Sequence, residues 1–112
     1  MRVMVLCGSH LRHLYFASKL IETVSVVGII KYKREEMVPQ PPDNIDSKLK
    51  KIFSKHFADR KQTEKKFFGD PNFKNLLNHQ NILTVDNVID FNSSESIKFI
   101  HDCNPDIAFV FG

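Results

Sequence analysis

A chain of 112 residues with 42% hydrophobic and 26% charged residues, ten of them Phe and none Trp, suits one globular domain with a modest core and excludes a disordered or fibrous chain. The formal charge of +3 is unevenly placed: between Lys31 and Lys66 eleven Lys or Arg meet six Asp or Glu, against five and seven elsewhere. A basic helix with few exposed aromatics can be a nucleic-acid face but is more often a solvated surface, and we read that stretch as surface.

No apolar run approaches the roughly 20 residues that span a bilayer. The apolar stretch Val3 to Cys7 is too short for a signal peptide, since Ser9, His10 and Arg12 follow at once. A cytoplasmic location and no membrane partner are expected. Cys7 and Cys103 have no CxxC spacing and read as reduced, buried thiols. The five histidines, His10, His13, His56, His79 and His101, show no metal-ligand pattern, so no metal is expected.

Along the chain, residues 2–7 form a short apolar run bounded by Gly8, the pattern of a strand buried on both faces. Ser9 is the expected N-cap of a helix whose apolar positions Leu11, Leu14, Phe16 or Ala17, Leu20 and Ile21 recur at helical spacing. Val26 to Ile30 follows as a second strand, completing a βαβ unit with a crossover long enough to join parallel neighbours.

Pro39, Pro41 and Pro42 make the stretch from Lys31 to Asn44 a connecting loop, since each removes a donor and fixes φ. From Asp46 a long amphipathic helix is expected to reach Phe67 or Phe68, with Ile45, Leu49, Ile52, Phe53 and Phe57 on one face. Gly69-Asp70-Pro71 stops it, Asn72 to Leu77 gives a short helix, and Ile82 to Val85 a third strand. Asn92, Ser93 and Ser94 are candidate caps for a helix over Glu95 to Cys103 with Ile97, Ile100 and Phe99 inward. Asn104-Pro105-Asp106 breaks that helix and launches a fourth strand, Ile107 to Phe111.

The order β-α-β-α-α-β-α-β predicts an α/β fold, a Rossmann-like, mostly parallel sheet of about four strands with helices on both faces. Doubly wound strand order 3-2-1-4 would make the first and fourth strands neighbours, with a crevice at their carboxyl ends. Gly8 to Arg12 lines one side of it. The opposite wall would start at Gly112, so residues 1–112 read as the amino-terminal part of one domain. At the sheet edge, Ile107, Phe109 and Phe111 are a pairing liability that would favour a homodimer.

Gly8-Ser9-His10-Leu11-Arg12-His13 is the polar cluster at a strand end that opens a helix, a place suited to phosphate or carboxylate. It lacks the further glycines of a dinucleotide fingerprint and is no Walker A loop. A merely structural turn is the competing reading. His10 has no nearby acidic partner in sequence to orient it as a general base, so a substrate contact suits it better. His13 reads as a surface or helix-packing residue. Cys7 is not expected to be a nucleophile. Glu35 and Glu36 could grip a ribose, but flanking Lys33 and Arg34 favour surface pairing.

The strand Arg2 to Leu6 entering Gly8-Ser9-His10-Leu11-Arg12-His13-Leu14, the Val26 to Ile30 strand, the basic insert with Lys65-Lys66-Phe67-Phe68 and the closing Asn104-Pro105-Asp106-Ile107-Ala108-Phe109-Val110-Phe111-Gly112 together resemble the amino-terminal half of folate-dependent formyltransferases. The resemblance covers nearly the whole chain in element order, with its most particular residues at both ends. It implies a Rossmann-like domain that moves a formyl group from 10-formyltetrahydrofolate to an amine of methionyl-tRNA, a nucleotide-linked amino sugar or glycinamide ribonucleotide. Family members stabilise the tetrahedral intermediate with an Asn, a His and an Asp. All three lie in segments that would follow Gly112, so no catalytic residue is expected within residues 1–112.

What the resemblance carries over is a substrate-crevice wall at Gly8, Ser9, His10 and Arg12, and an approach to the folate pocket at Phe111 and Gly112. The first loop departs from methionyl-tRNA members, which read like Gly-Thr-Pro-x-Phe, and is more similar to the branch that includes sugar N-formyltransferases. The alternative is a non-catalytic Rossmann-like module that binds a nucleotide or a partner protein.

Overall fold

The computed structural model describes residues 1–33, 39–69 and 73–112. The chain divides into a sheet unit, Met1–Arg34 with Pro71–Gly112, and a helical unit, Glu35–Asp70. The sheet unit is α/β, with four parallel strands, β1 (Arg2–Cys7), β2 (Ser25–Tyr32), β3 (Ile82–Val85) and β4 (Ile107–Phe111), in the order β3-β2-β1-β4. Both the Rossmann-like class and the strand order agree with the sequence reading.

Side chains of β1 alternate between two faces, and each face has its own helices. Val3, Val5 and Cys7 meet Ala17 of α1 (Leu11–Thr23), and Leu76 of α3 (Lys74–Leu77) closes the same cluster. Met4 and Leu6 face the other way and join Cys103 of α4 (Ser94–Cys103), with Phe99 and Ile100 packed against them. Five consecutive β1 residues are thus buried, which is why that strand reads as an unbroken apolar run. Gly28 lies beside a register shift in the β1–β2 pairing. A Cβ there would come within 2.8 Å of the Cys103 Sγ and 2.9 Å of the Met4 Cε, so close approach of α4 to the sheet requires glycine.

Arg2 joins the beginning of β1 to the end of α4. Its Nη2 donates to the Cys103 carbonyl at 2.7 Å and its Nε to that of Asn104 at 2.9 Å, neutralising the negative end of the helix. Asn104 takes the left-handed conformation (φ 46°) that ends α4. Asp106 then accepts from the Arg2 backbone N–H at 2.6 Å while its own N–H donates to the Arg2 carbonyl at 2.8 Å. The Asn104-Pro105-Asp106 motif therefore has a structural task, setting β4 in parallel register on β1.

Several details differ from expectation. Ser9 does not cap α1: His10 holds the N-cap position with no side-chain cap bond, and the Ser9 hydroxyl donates to the Tyr32 carbonyl at 2.6 Å instead. β2 runs longer than Val26 to Ile30 because pairing with β3 extends through Lys31 and Tyr32. A 3-10 turn over Val88–Asn92 has no apolar periodicity to announce it; Asp90 Oδ2 accepts from the Asn87 N–H at 2.9 Å. Ile97 faces outward, 57% exposed, because the buried side of a helix that starts at Ser94 passes through Ser96, Ile100 and Cys103.

The helical unit contains α2 (Ser47–Phe68), capped by Asp46, whose Oδ1 accepts from the Leu49 N–H at 2.8 Å. Gly69 closes it at φ 71°, a conformation that favours glycine. The Phe53 and Phe57 rings pack one turn apart, tilted by 48° with centroids 4.8 Å apart, and Lys55–Asp59 pairs at 2.7 Å. Among the described residues no helix is long and apolar enough to cross a membrane.

Candidate binding site at the carboxyl ends of β1 and β4

Winding runs outward from β1 through β2 to β3 and then reverses, carrying β4 to the opposite side of β1. The carboxyl ends of β1 and β4 are the point of reversal, where open α/β sheets leave a crevice. The structure brings Gly8 to Phe111 and Gly112 there: the Gly8 N–H points at the Phe111 carbonyl at 3.4 Å, and a Cβ on Gly112 would stand 3.2 Å from the Gly8 nitrogen. These are the residues assigned to the substrate wall and the folate approach.

His10 and Arg12 open α1. The His10 carbonyl receives the N–H groups of His13 and Leu14 at 2.9 and 3.0 Å, which starts the helix, and no acidic residue sits in its first turn. The positive end of the helix dipole therefore faces the crevice uncompensated by a carboxylate in that turn. Ser9 is half-committed, because its proton is donated to the Tyr32 carbonyl while its oxygen lone pairs remain acceptors. Arg12 is half-buried on the first turn of α1.

Three side chains that the sequence did not assign to this end of the sheet shape it, although His13 and Phe16 read as candidates for helix packing. His13 is 2% exposed, and its ring lies edge-on to Phe111 at 5.1 Å and to His10 at 5.5 Å. Phe16 tilts against Phe111 at 4.7 Å. Tyr32 ends β2 and sets its ring edge-on to Phe91 at 5.7 Å. The signal for His13 was its place on the helix stripe, four residues before Ala17; Tyr32 had none, because the strand was expected to stop at Ile30.

A Cβ at Gly8 would lie 2.5 Å from the His13 Nδ1 and 3.0 Å from the Tyr32 hydroxyl. In a dinucleotide-binding sheet the pyrophosphate approaches the backbone at a glycine of this turn. Here that space holds an imidazole and a phenol, which agrees with the missing fingerprint glycines.

Cys7 ends β1 but is 1% exposed. Burial pushes its thiol up to about 11, with Lys31 pulling weakly the other way. Its thiolate is disfavoured, so it is no nucleophile. Cys103 is also raised, by burial first and the Asp102 charge second. Among the described residues, no group of three His, Cys, Asp or Glu could hold a metal ion. Glu35 and Glu36, weighed for a ribose contact, lie outside the described residues, as does the flanking Arg34.

A depression of about 480 Å³ opens at the amino ends of the strands between Arg2, Val26 and the Asn78 to Asn81 loop. Its polar groups are largely spent on the fold: His79 Nε2 meets the Val26 carbonyl at 2.9 Å and Asn81 Nδ2 donates to that of Val27 at 3.0 Å. Those bonds fix the entry to β3, and we assign this depression a structural role. No family model, no curated protein and no solved structure matches the chain.

Proposed function

We propose that the chain is the amino-terminal part of a folate-dependent formyltransferase-like enzyme, which moves a formyl group from 10-formyltetrahydrofolate to the amine of a small molecule such as a nucleotide-linked amino sugar. One observation carries this reading: Gly8, which opens the turn to Arg12, meets Phe111 and Gly112 at the reversal point of the sheet. In formyl transfer the amine attacks the formyl carbon, and the oxygen gains charge in a tetrahedral intermediate that polar donors must hold. The residues of this chain do the binding side of that work. The helix start at His10 suits an anionic group of the substrate, and Phe111 offers an aromatic surface to a flat ring. Two free buried thiols suit a reducing, cytoplasmic compartment.

Thermal unfolding with and without ligand tests the reading. A reduced folate at about 100 times its dissociation constant should stabilise the chain by roughly 2.7 kcal/mol. Stabilisation by a nucleotide sugar with none by any reduced folate would overturn it in favour of a non-catalytic nucleotide-binding module.

A further inference from the structure

Along α2 runs an apolar stripe. At about 100° per residue, Leu49, Ile52, Phe53 and Phe57 fall on one side of the helix, and in a globular domain such a stripe normally faces a core. Yet no residue of α2 is buried. Ile52 is 56% exposed and Phe67, in line with the stripe at the far end, 76%. The Phe53 and His56 rings pack on Phe57 at 4.8 and 5.1 Å, so the aromatic groups hold one another in place along the helix.

Charge says what such a stripe can meet. The 22 residues of α2 contain seven Lys and one Arg against Asp59 and Glu64. Both acids are paired within the helix, Asp59 with Lys55 at 2.7 Å and Glu64 with Arg60 at 3.4 Å. The same spacing puts Lys50 and Lys61 along one border of the stripe and Lys48 and Lys66 along the other. A fitting surface is therefore apolar in the middle and anionic on both sides.

Single-stranded nucleic acid takes its cations and its stacking aromatics from one groove, whereas here the aromatic stripe and the lysines divide the helix between them. Protein interfaces favour Arg and disfavour Lys, and the one Arg of α2 is committed to Glu64. Lysines whose carbon stems run beside an apolar stripe toward charged headgroups suit a lipid interface.

We propose that α2 docks on an anionic membrane surface, lying in the headgroup layer with its apolar stripe toward the acyl chains and its border lysines on lipid phosphate and carboxylate groups. It lies along the surface and does not cross it, because charged residues recur in every turn. The proposal is independent of the formyl-transfer reading.

The chain has no Trp, so Phe67→Trp, at an exposed position, supplies one fluorophore on the helix. The whole chain is titrated with vesicles of phosphatidylcholine alone and of equal parts phosphatidylcholine and phosphatidylserine. The expected result is a saturable blue shift of the Trp emission and sedimentation with the anionic vesicles, with neither on the neutral ones. Lys48→Gln with Lys50→Gln should weaken that binding roughly thirtyfold, about fivefold for each lysine. Leu49→Gln with Ile52→Gln should weaken it about tenfold or more, both variants keeping the helical circular dichroism of wild type.

A chain that stays in the supernatant with anionic vesicles would overturn the proposal, and its retention by a single-stranded RNA homopolymer would then assign the lysines to nucleic acid. Sedimentation with the Trp emission unmoved, or with the Leu49 and Ile52 variant equal to wild type, would also overturn it, since the stripe would take no part.

Discussion

Cys7 illustrates how one buried side chain couples to the solvent. The folded thiol keeps its proton up to about 11, against an ordinary 9.0 once the chain unfolds. Between those values the unfolded state binds fewer protons than the folded one, so stability is full below about pH 9 and falls as pH rises toward 11. The fall attributable to Cys7 is roughly 2 to 3 kcal/mol. Urea unfolding in reductant at several pH values from about 8 to 10.5 checks this. Cys7→Ala should flatten the slope over that interval; an equal slope in the variant would show that other groups carry it. The same burial explains why a cysteine at a strand end beside a helix start is chemically quiet, as its place in an apolar strand led us to expect.

At the scale of elements, two serines that look alike in sequence do different work. Ser9 and Ser93 each precede an apolar helical stripe. Ser93 caps α4, its Oγ accepting from the Ser96 N–H at 3.2 Å, and Ser96 in turn donates to the Asp90 carbonyl at 2.6 Å from a fully buried position. Ser93→Ala should cost about 1 kcal/mol and speed hydrogen exchange at the amides opening α4. Ser9→Ala should leave exchange in α1 unchanged, since the Ser9 bond is to Tyr32; faster exchange at the start of α1 would contradict that difference.

The strands and the long helices were legible because they rest on periodicity. Arg2 to Cys7 is apolar on both faces, Leu14, Ala17 and Ile21 recur at helical spacing, and Asp46 and Gly69 bracket α2 with cap chemistry. What escaped was set by tertiary contact. The outward turn of Ile97 follows from where α4 meets the sheet, and the 3-10 turn at Val88–Asn92 is held by local polar bonds without a stripe. At the reversal of the sheet, the meeting of Gly8 with Phe111 and Gly112 was legible from the strand order. His13, Phe16 and Tyr32 join them only through strand length and helix rotation.

For the molecule as a whole, β4 is the feature that governs behaviour in solution. It pairs with β1 on one side, and all five of its residues are exposed, Val110 at 72%. An apolar edge strand with free backbone donors and acceptors is a template for pairing with another chain. Sedimentation should therefore show association that grows with concentration, and Val110→Lys should shift the chain toward monomer without loss of its melting temperature. A wild-type chain monomeric at high concentration would contradict this reading of the edge.

Where a ligand lands on the sheet decides between these readings. Backbone amide resonances followed during titration with 5-formyltetrahydrofolate read that directly. Saturable shifts are expected at Gly8 to Arg12, Tyr32, Phe111 and Gly112, with the opposite end of the sheet silent. Shifts centred on Arg2, Asn78 and Gln80, or no shift at any position, would contradict the formyl-transfer reading.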